Sequence, residues 1–232
     1  MKRILTFALW GDNPTYNIGA IKNAELAANY YPDFECWFYI HTPTVPSDTV
    51  KQLENLTNVK VIKKDGDLNT YKPATWRFEA IDDPDVEIMM SRDTDTRILL
   101  REKLAVDEWL KSDTLFHIMR DHPHHYNLSY KIMAGMFGTR KIPGINWTNL
   151  SNTIIPDYFR EYDQTILNNY IYPLIKNSMT VHTSFHFYPD EKSNKFPILY
   201  DDEFHFVGEY VYSDESRSQY HIDELKKGIG LI

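Results

Sequence analysis

The chain is 232 residues long, 42% apolar and 25% charged, which suits one substantial domain and is short for two. Aromatic residues reach 14%, so disordered and low-complexity classes are excluded. With 25 basic and 33 acidic residues the formal charge is −8, which excludes a broad basic field and nucleic-acid binding through it.

In chain order, residues 4–9 form a short apolar run that stops at the turn cluster Trp10-Gly11-Asp12-Asn13-Pro14, and they predict a strand. The run is too short and too aromatic for a signal peptide, and no small-residue cleavage site follows it. No stretch approaches the roughly 20 apolar residues that a membrane helix needs. Residues 18–30 predict a helix with Ile18, Ile21, Leu26 and Ala27 on one face. Residues 34–40 predict a second strand, closed by Pro43 and Pro46. That strand holds the single cysteine, Cys36, so an intramolecular disulfide is excluded. A buried thiol in a soluble, reducing, cytoplasmic setting is the expectation.

Residues 48–55 predict a short helix and residues 58–63 a third strand, with Gly66 and Asn69 marking a loop. A helix over 74–81 is stopped by Asp82-Asp83-Pro84, and residues 86–90 form a fourth strand. Strands alternating with helices predict a mostly parallel α/β sheet covered on both faces. Ligands bind such sheets beyond the carboxyl ends of the strands. Two polar segments stand there: the loop after Leu9, and Ser91-Arg92-Asp93-Thr94-Asp95-Thr96-Arg97.

Residues 100–110 are helix formers throughout, with Lys103 and Asp107 placed to pair. Residues 114–119 predict a strand that ends at Arg120-Asp121-His122-Pro123-His124-His125. Residues 132–138 read as a strand or turn with close backbone packing. Tyr158, Tyr162, Ile166, Tyr170 and Leu174 recur every four residues and predict a long helix, kinked or ended by Pro173. Residues 200–232 are polar apart from one apolar run at 204–207. Neither a repeat nor a linker is visible, which predicts a single domain over 1–232.

Asp93-Thr94-Asp95 is the sharpest chemical feature. Two carboxylates at i, i+2 in a tight loop after a buried strand suit one hard divalent cation, Mg²⁺ or Mn²⁺. The competing role is a cap on the helix that follows. Arg77, Arg92 and Arg97 suit either phosphate contacts or ion pairs with these carboxylates. The histidine cluster at 122–125 lacks zinc-ligand spacing, so hydrogen bonding is the stronger expectation there. Asp121, at a strand end, suits a substrate hydroxyl. Trp10, Tyr16, Trp76 and Phe137 divide between core packing and stacking on a base or sugar.

These pieces together resemble the GT-A glycosyltransferases, the nucleotide-diphospho-sugar transferases, and most of all small ones of large DNA viruses and bacterial glycan loci. The residues that carry the resemblance are 9–12, Trp76-Arg77-Phe78, 91–97, 100–110, 116–123, 134–138, Asp163-Gln164 and His182, spanning about residues 3–190. The resemblance implies a Rossmann-like α/β domain, with a nucleotide-binding half at about 1–97 and a sugar and acceptor half at about 98–232. By the same resemblance Asp93, Asp95 and His182 would hold Mn²⁺ or Mg²⁺, and Leu9, Trp10 and Gly11 would line the base and ribose. Arg77, Arg92 and Gly135 would contact the donor, and His122 and Gln164 the sugar or acceptor. Asp121 and Asp163 are the candidate catalytic carboxylates. The implied partners are a nucleotide-diphospho-sugar, UDP before GDP, and a glycan or other hydroxyl acceptor, with a lean to retention. A viral source would place the protein in the host cytoplasm. The rival expectations are a non-catalytic sugar-nucleotide or glycan binder and a metal-dependent phosphohydrolase.

Overall fold

β1 (Lys2–Leu9) is buried on both faces at its middle, which is why it reads as an unbroken apolar run. It pairs in parallel with β2 (Glu35–His41) on one side and β4 (Val86–Arg92) on the other, and β3 (Val59–Lys64) pairs in parallel with β2. The computed structural model describes residues 1–66, 68, 72–126, 129–153 and 161–232. Within it β5 (Phe116–Arg120), β6 (Met136–Arg140), β7 (Met179–Thr183) and β8 (Ser193–Asn194) complete an eight-stranded sheet of order β3-β2-β1-β4-β6-β5-β7-β8. Only β6 among these strands is antiparallel to its neighbours. The sheet is therefore mixed and mostly parallel, as expected.

Period-two alternation sends the apolar side chains to two cores. Ile4, Trp37, Tyr39, Met89, Phe116 and Phe137 pack on one face. Leu5, Phe7, Phe38, Ile40, Ile88 and Met90 pack on the other. The second face is covered by α1 (Pro14–Tyr30), whose Ala20, Ala24 and Ala27 lie fully buried, and by α3 (Leu100–Leu110) through Val106 and Trp109. α1 starts before its apolar pattern because Asn13 caps it, accepting from the Thr15 N–H at 3.0 Å, and Pro14 fills the first turn. α2 (Ser47–Glu54) is the predicted short helix. Cys36 is buried, and burial pushes its thiol up to about 12.

The segment predicted as a helix over 74–81 is a 3₁₀ helix, Lys72–Asp82, most of whose side chains are buried. Thr6 Oγ1 donates to the Arg77 carbonyl at 2.7 Å and pins it over β1. α4 (Trp147–Thr153) brings Trp147 onto Phe78 and Phe137. The expected start of the long helix, Tyr158, lies outside the described residues, as does the loop marker Asn69. The described part runs through α5 (Tyr162–Ile166), a π-helical turn at Leu167–Ile171, and α6 (Tyr172–Ile175). The wide turn directly precedes the segment containing Pro173, which has no N–H for the regular ladder, and the helix stops two residues after it. α7 (Gln219–Gly228) lies in the tail and carries no apolar stripe, since only Leu225 of it is buried. Among the described residues no helix is long and apolar enough to cross a membrane.

Candidate functional site

The reversal of β6 builds the site. Because β6 runs against β4, Arg92 at the carboxyl end of β4 pairs with Met136 at the start of β6. The loop with Asp93 and Asp95 thus meets the loop with Ala134 and Gly135. The end of β1 stands alongside, where the sheet order turns from β2 on one side to β4 on the other, the usual ligand position in open α/β sheets. A cavity of about 650 Å³ opens there. Ala8, Leu9 and Trp10 line it from the end of β1, and Tyr16 from α1. Asp93, Thr94 and Asp95, Arg77, Gly135, Asp163 and Gln164 complete its polar part.

Arg77 is the hub. It is buried and donates to the Arg92 carbonyl at 2.9 Å and to Asp163 Oδ2 at 2.8 Å, and it pairs with Asp93 Oδ1. Burial opposes its charge, but Asp93 and Asp163 together push its pKa up. Burial also lifts the Asp163 carboxyl above the ordinary carboxylate range, with Arg77 pulling it down and Asp93 pushing it up. Two buried atoms here lack a hydrogen-bond partner among the described residues: Arg77 Nε and Gln164 Oε1. One is a donor and the other an acceptor. Gly135 is required for close approach, because a Cβ there would stand 1.9 Å from Asp93 Oδ2. Gly11 adopts φ +78° and does not line the cavity; it turns the chain, its N–H donating to Thr44 Oγ1 at 2.9 Å.

Several expected residues have other roles. Arg92 is buried and donates to Glu102 Oε1 at 2.8 Å and to the Ser91 and Phe137 carbonyls, so it has no face toward a phosphate. Arg97 is held by Glu215 through both Nε and Nη2. Asp121 is fully buried and accepts from Arg101 twice at 2.8 Å, from Ser184 Oγ, from Tyr200 Oη and from the Val207 N–H. Those five donors saturate its oxygens, and it does not line the cavity, so it is an anchor rather than a base. His122 stacks on Phe206, accepts from the His124 N–H at 3.0 Å, and bonds the His221 carbonyl through Nε2. It is turned away from the cavity, whose wall takes the neighbouring His125 instead.

His182 is also displaced from its expected role. It is fully buried on β7, with Nδ1 bonded to His117 and Nε2 to Glu108, both at 2.9 Å. β7 lies three strand positions from β4, roughly 14 Å at the usual inter-strand spacing. Both ring nitrogens are engaged, so the expected three-ligand set reduces to Asp93 and Asp95. Among the described residues no group of three His, Cys, Asp or Glu side chains is placed to hold a metal. Those two carboxylates do not cap α3 either, because its cap position is Leu99, with no side-chain bond. Trp76 and Phe137 are core, while Trp10 and Tyr16 reach the cavity. Met136, within the 134–138 segment, also lines it, as do Met133, Glu161 and Gly208, which no motif in the sequence marked.

The histidines carry a stability consequence. Burial drives the His117 and His125 rings well below their ordinary value and His122 down to about 4. Below about pH 6.5 the unfolded chain therefore binds more protons than the native state. Their contribution is complete above that pH and is lost progressively as the pH falls below it toward the folded values, about 4 for His122. We expect the melting temperature to drop by about 5 °C or more between pH 7 and pH 5, at about 2–4 °C per kcal/mol for a chain of this size. A flat melting profile over that range would contradict the buried, neutral rings.

No family model matches the chain, and no curated protein matches it in sequence. Solved structures do resemble it. A glycosyltransferase involved in glycosylating the major capsid of PBCV-1 is similar at 14% identity and TM-score 0.51, over 79% of this chain and 82% of that one. The galactosyltransferase LgtC, solved with donor and acceptor sugar analogs, is similar at 17% identity and TM-score 0.45, over 80% and 76%. A 4-diphosphocytidyl-2C-methyl-D-erythritol synthase from Anaerococcus prevotii is similar at 10% identity and TM-score 0.46, over 84% and 92%. With its mixed sheet flanked by helices and its likeness to the capsid glycosyltransferase, the chain has the GT-A fold.

Proposed function

We propose that the protein is a metal-dependent glycosyltransferase that moves a sugar from a nucleotide-diphospho-sugar, UDP before GDP, to a hydroxyl of a glycan or other acceptor. The observation that carries this reading is the cavity wall. Two carboxylates, Asp93 and Asp95, line the same cavity as Arg77 and Gln164, whose buried Nε and Oε1 have no hydrogen-bond partner among the described residues. Leu9, Trp10 and Tyr16 supply the apolar side for a base and ribose.

The donor set fits Mg²⁺ or Mn²⁺. Both are hard ions that take one or two carboxylates and complete their shells with water and substrate phosphates. When bound, the cation neutralises the charge that develops on the departing diphosphate. The chain's own residues hold and orient. Arg77 links Asp93 to Asp163, so the diphosphate end and the sugar end of the cavity are fixed by one guanidinium. The wall at Gly135 keeps the Asp93 carboxylate within reach of the sugar side.

Retention is the finer proposal. Asp121 is saturated away from the cavity, and Asp163 is held by Arg77, so neither is available to deprotonate an acceptor. A product of inverted configuration by NMR would instead point to Glu161 as the base. The phosphohydrolase alternative expects a denser set of carboxylates and histidines around two metals.

A thermal-shift panel of UDP-, GDP- and dTDP-sugars with and without Mn²⁺ tests the reading. Ligand at 100 times its dissociation constant adds about 2.7 kcal/mol. A UDP-sugar with Mn²⁺ is therefore expected to raise the melting temperature by about 5–10 °C. No shift with any nucleotide sugar would overturn it.

A further inference from the structure

We propose that Asn23, on α1 and outside the cavity, is the positioning residue that holds the Asp93 and Asp95 carboxylates in register. The inference rests on the transferase reading for its purpose and on α1 for its geometry. Along the loop after β4, burial alternates. Thr94 and Thr96 are buried, while Asp93 and Asp95 are partly exposed and line the cavity. The buried side of the loop lies against α1. Asn23 is fully buried, and its amide spans the loop: Nδ2 donates to the Thr96 carbonyl at 2.7 Å and, more weakly, to that of Thr94 at 3.5 Å. Its Oδ1 accepts from the Ile98 N–H at 3.1 Å.

A second contact from the same helix face fixes the distance. At Gly19 a Cβ would stand 1.9 Å from the Thr94 carbonyl oxygen, so the loop backbone rests directly on the helix. Tyr16, Gly19 and Asn23 follow at i, i+3 and i+7, one face of α1. That face lines the cavity, seats the loop and clamps it. The opposite side of the loop is tied by the Val211 N–H to the Asp95 carbonyl at 2.8 Å and by Arg97, which pairs with Glu215 and donates to the Thr96 carbonyl at 2.8 Å. Among the described residues Asn23 is a side chain from outside the loop whose hydrogen bonds reach backbone groups on both sides of Asp95. Removing it leaves the carboxylates in place chemically but loosens their spacing, and a cation and its diphosphate respond to spacing.

The experiment compares wild type with Asn23→Ala, and with Asn29→Ala as a control on the same helix, where the side chain is exposed and bonds the Glu25 carbonyl. Hydrogen exchange without ligand reads the loop itself. The amides of residues 94–98 are expected to exchange about 10-fold faster in Asn23→Ala, with those of β5 unchanged. Calorimetry at 15 °C with UDP and Mn²⁺ reads the consequence, and the dissociation constant is expected to rise about 10-fold or more, as for groups that orient metal ligands. Asn23→Ser, which offers one hydroxyl in place of the amide, should fall between the two, and it carries the test if Asn23→Ala does not fold. A lower melting temperature with unchanged loop exchange and unchanged affinity would overturn the proposal, since a merely structural asparagine gives that result. If wild type binds no UDP with Mn²⁺, the transferase reading fails, and loop exchange alone then decides whether Asn23 sets the loop.

Discussion

Asp93→Asn is expected to lower Mn²⁺-dependent donor turnover by more than about 100-fold, beyond the range that losing a mere orienting partner produces. The melting temperature should stay near that of the parent. The Asp93 side chain is 43% exposed, so no buried charge is stranded when it is neutralised. Arg77 keeps its bond to Asp163 at 2.8 Å and to the Arg92 carbonyl at 2.9 Å. What is lost is one of two carboxylates on the cavity wall that suit a hard cation, together with half of the charge that faces Arg77. Steady-state kinetics across a Mn²⁺ series, with a melting curve on the same sample, separate the two effects. Turnover close to the parent at saturating Mn²⁺ would remove Asp93 from the machinery.

Arg92→Ala is expected to do the reverse and cost about 3–5 kcal/mol of stability, the range for breaking a buried ion pair from one side. Arg92 and Glu102 are almost completely buried and bond at 2.8 Å. Without the guanidinium, Glu102 keeps, among the described residues, only the Tyr31 hydroxyl at 3.2 Å, and the Ser91 and Phe137 carbonyls lose a donor each. Urea titration would show a lower midpoint with a similar slope. Nucleotide affinity of the remaining folded protein should be unchanged. A stable Arg92→Ala protein with weakened UDP binding would restore Arg92 to the phosphate site.

Arg92 and Asp121 show where sequence reading stopped. Both are charged, both follow apolar runs, and both sit where ligand groups are expected. Their partners, Glu102 and Arg101, are adjacent on α3 and turn to different strand ends, one to Arg92 of β4 and one to Asp121 just after β5. No local pattern announces that crossing, because it depends on how a helix lies on a sheet. β1 to β4 were legible because each is a buried run bounded by turn residues. β6 was legible as close-packed backbone but began later than its apolar run, and its reversal left no local mark. α7 was missed because its polar sequence has one buried apolar side chain; Ser218, accepting from the His221 N–H, was the available signal. Of the cavity lining, Asp93, Asp95, Arg77 and Gln164 are legible as polar groups, and Leu9 and Trp10 as the apolar end of β1. Tertiary neighbours decided the fate of His122 and His182.

The cavity wall has one more consequence, for the growing chain. Its first residue in sequence is Ala8 and its last is Gly208, which turns at φ +80° against Met136. The Val207 N–H just before it is fastened to the buried Asp121, and Val211 just after it to the Asp95 loop. Contacts of such long sequence separation form late, after local helices and neighbouring strands. During synthesis the sheet's first four strands leave the ribosome long before the segment that closes the pocket. A nascent chain therefore holds both carboxylates well before it holds a complete cavity wall, which exists only once the chain has been made through Gly208.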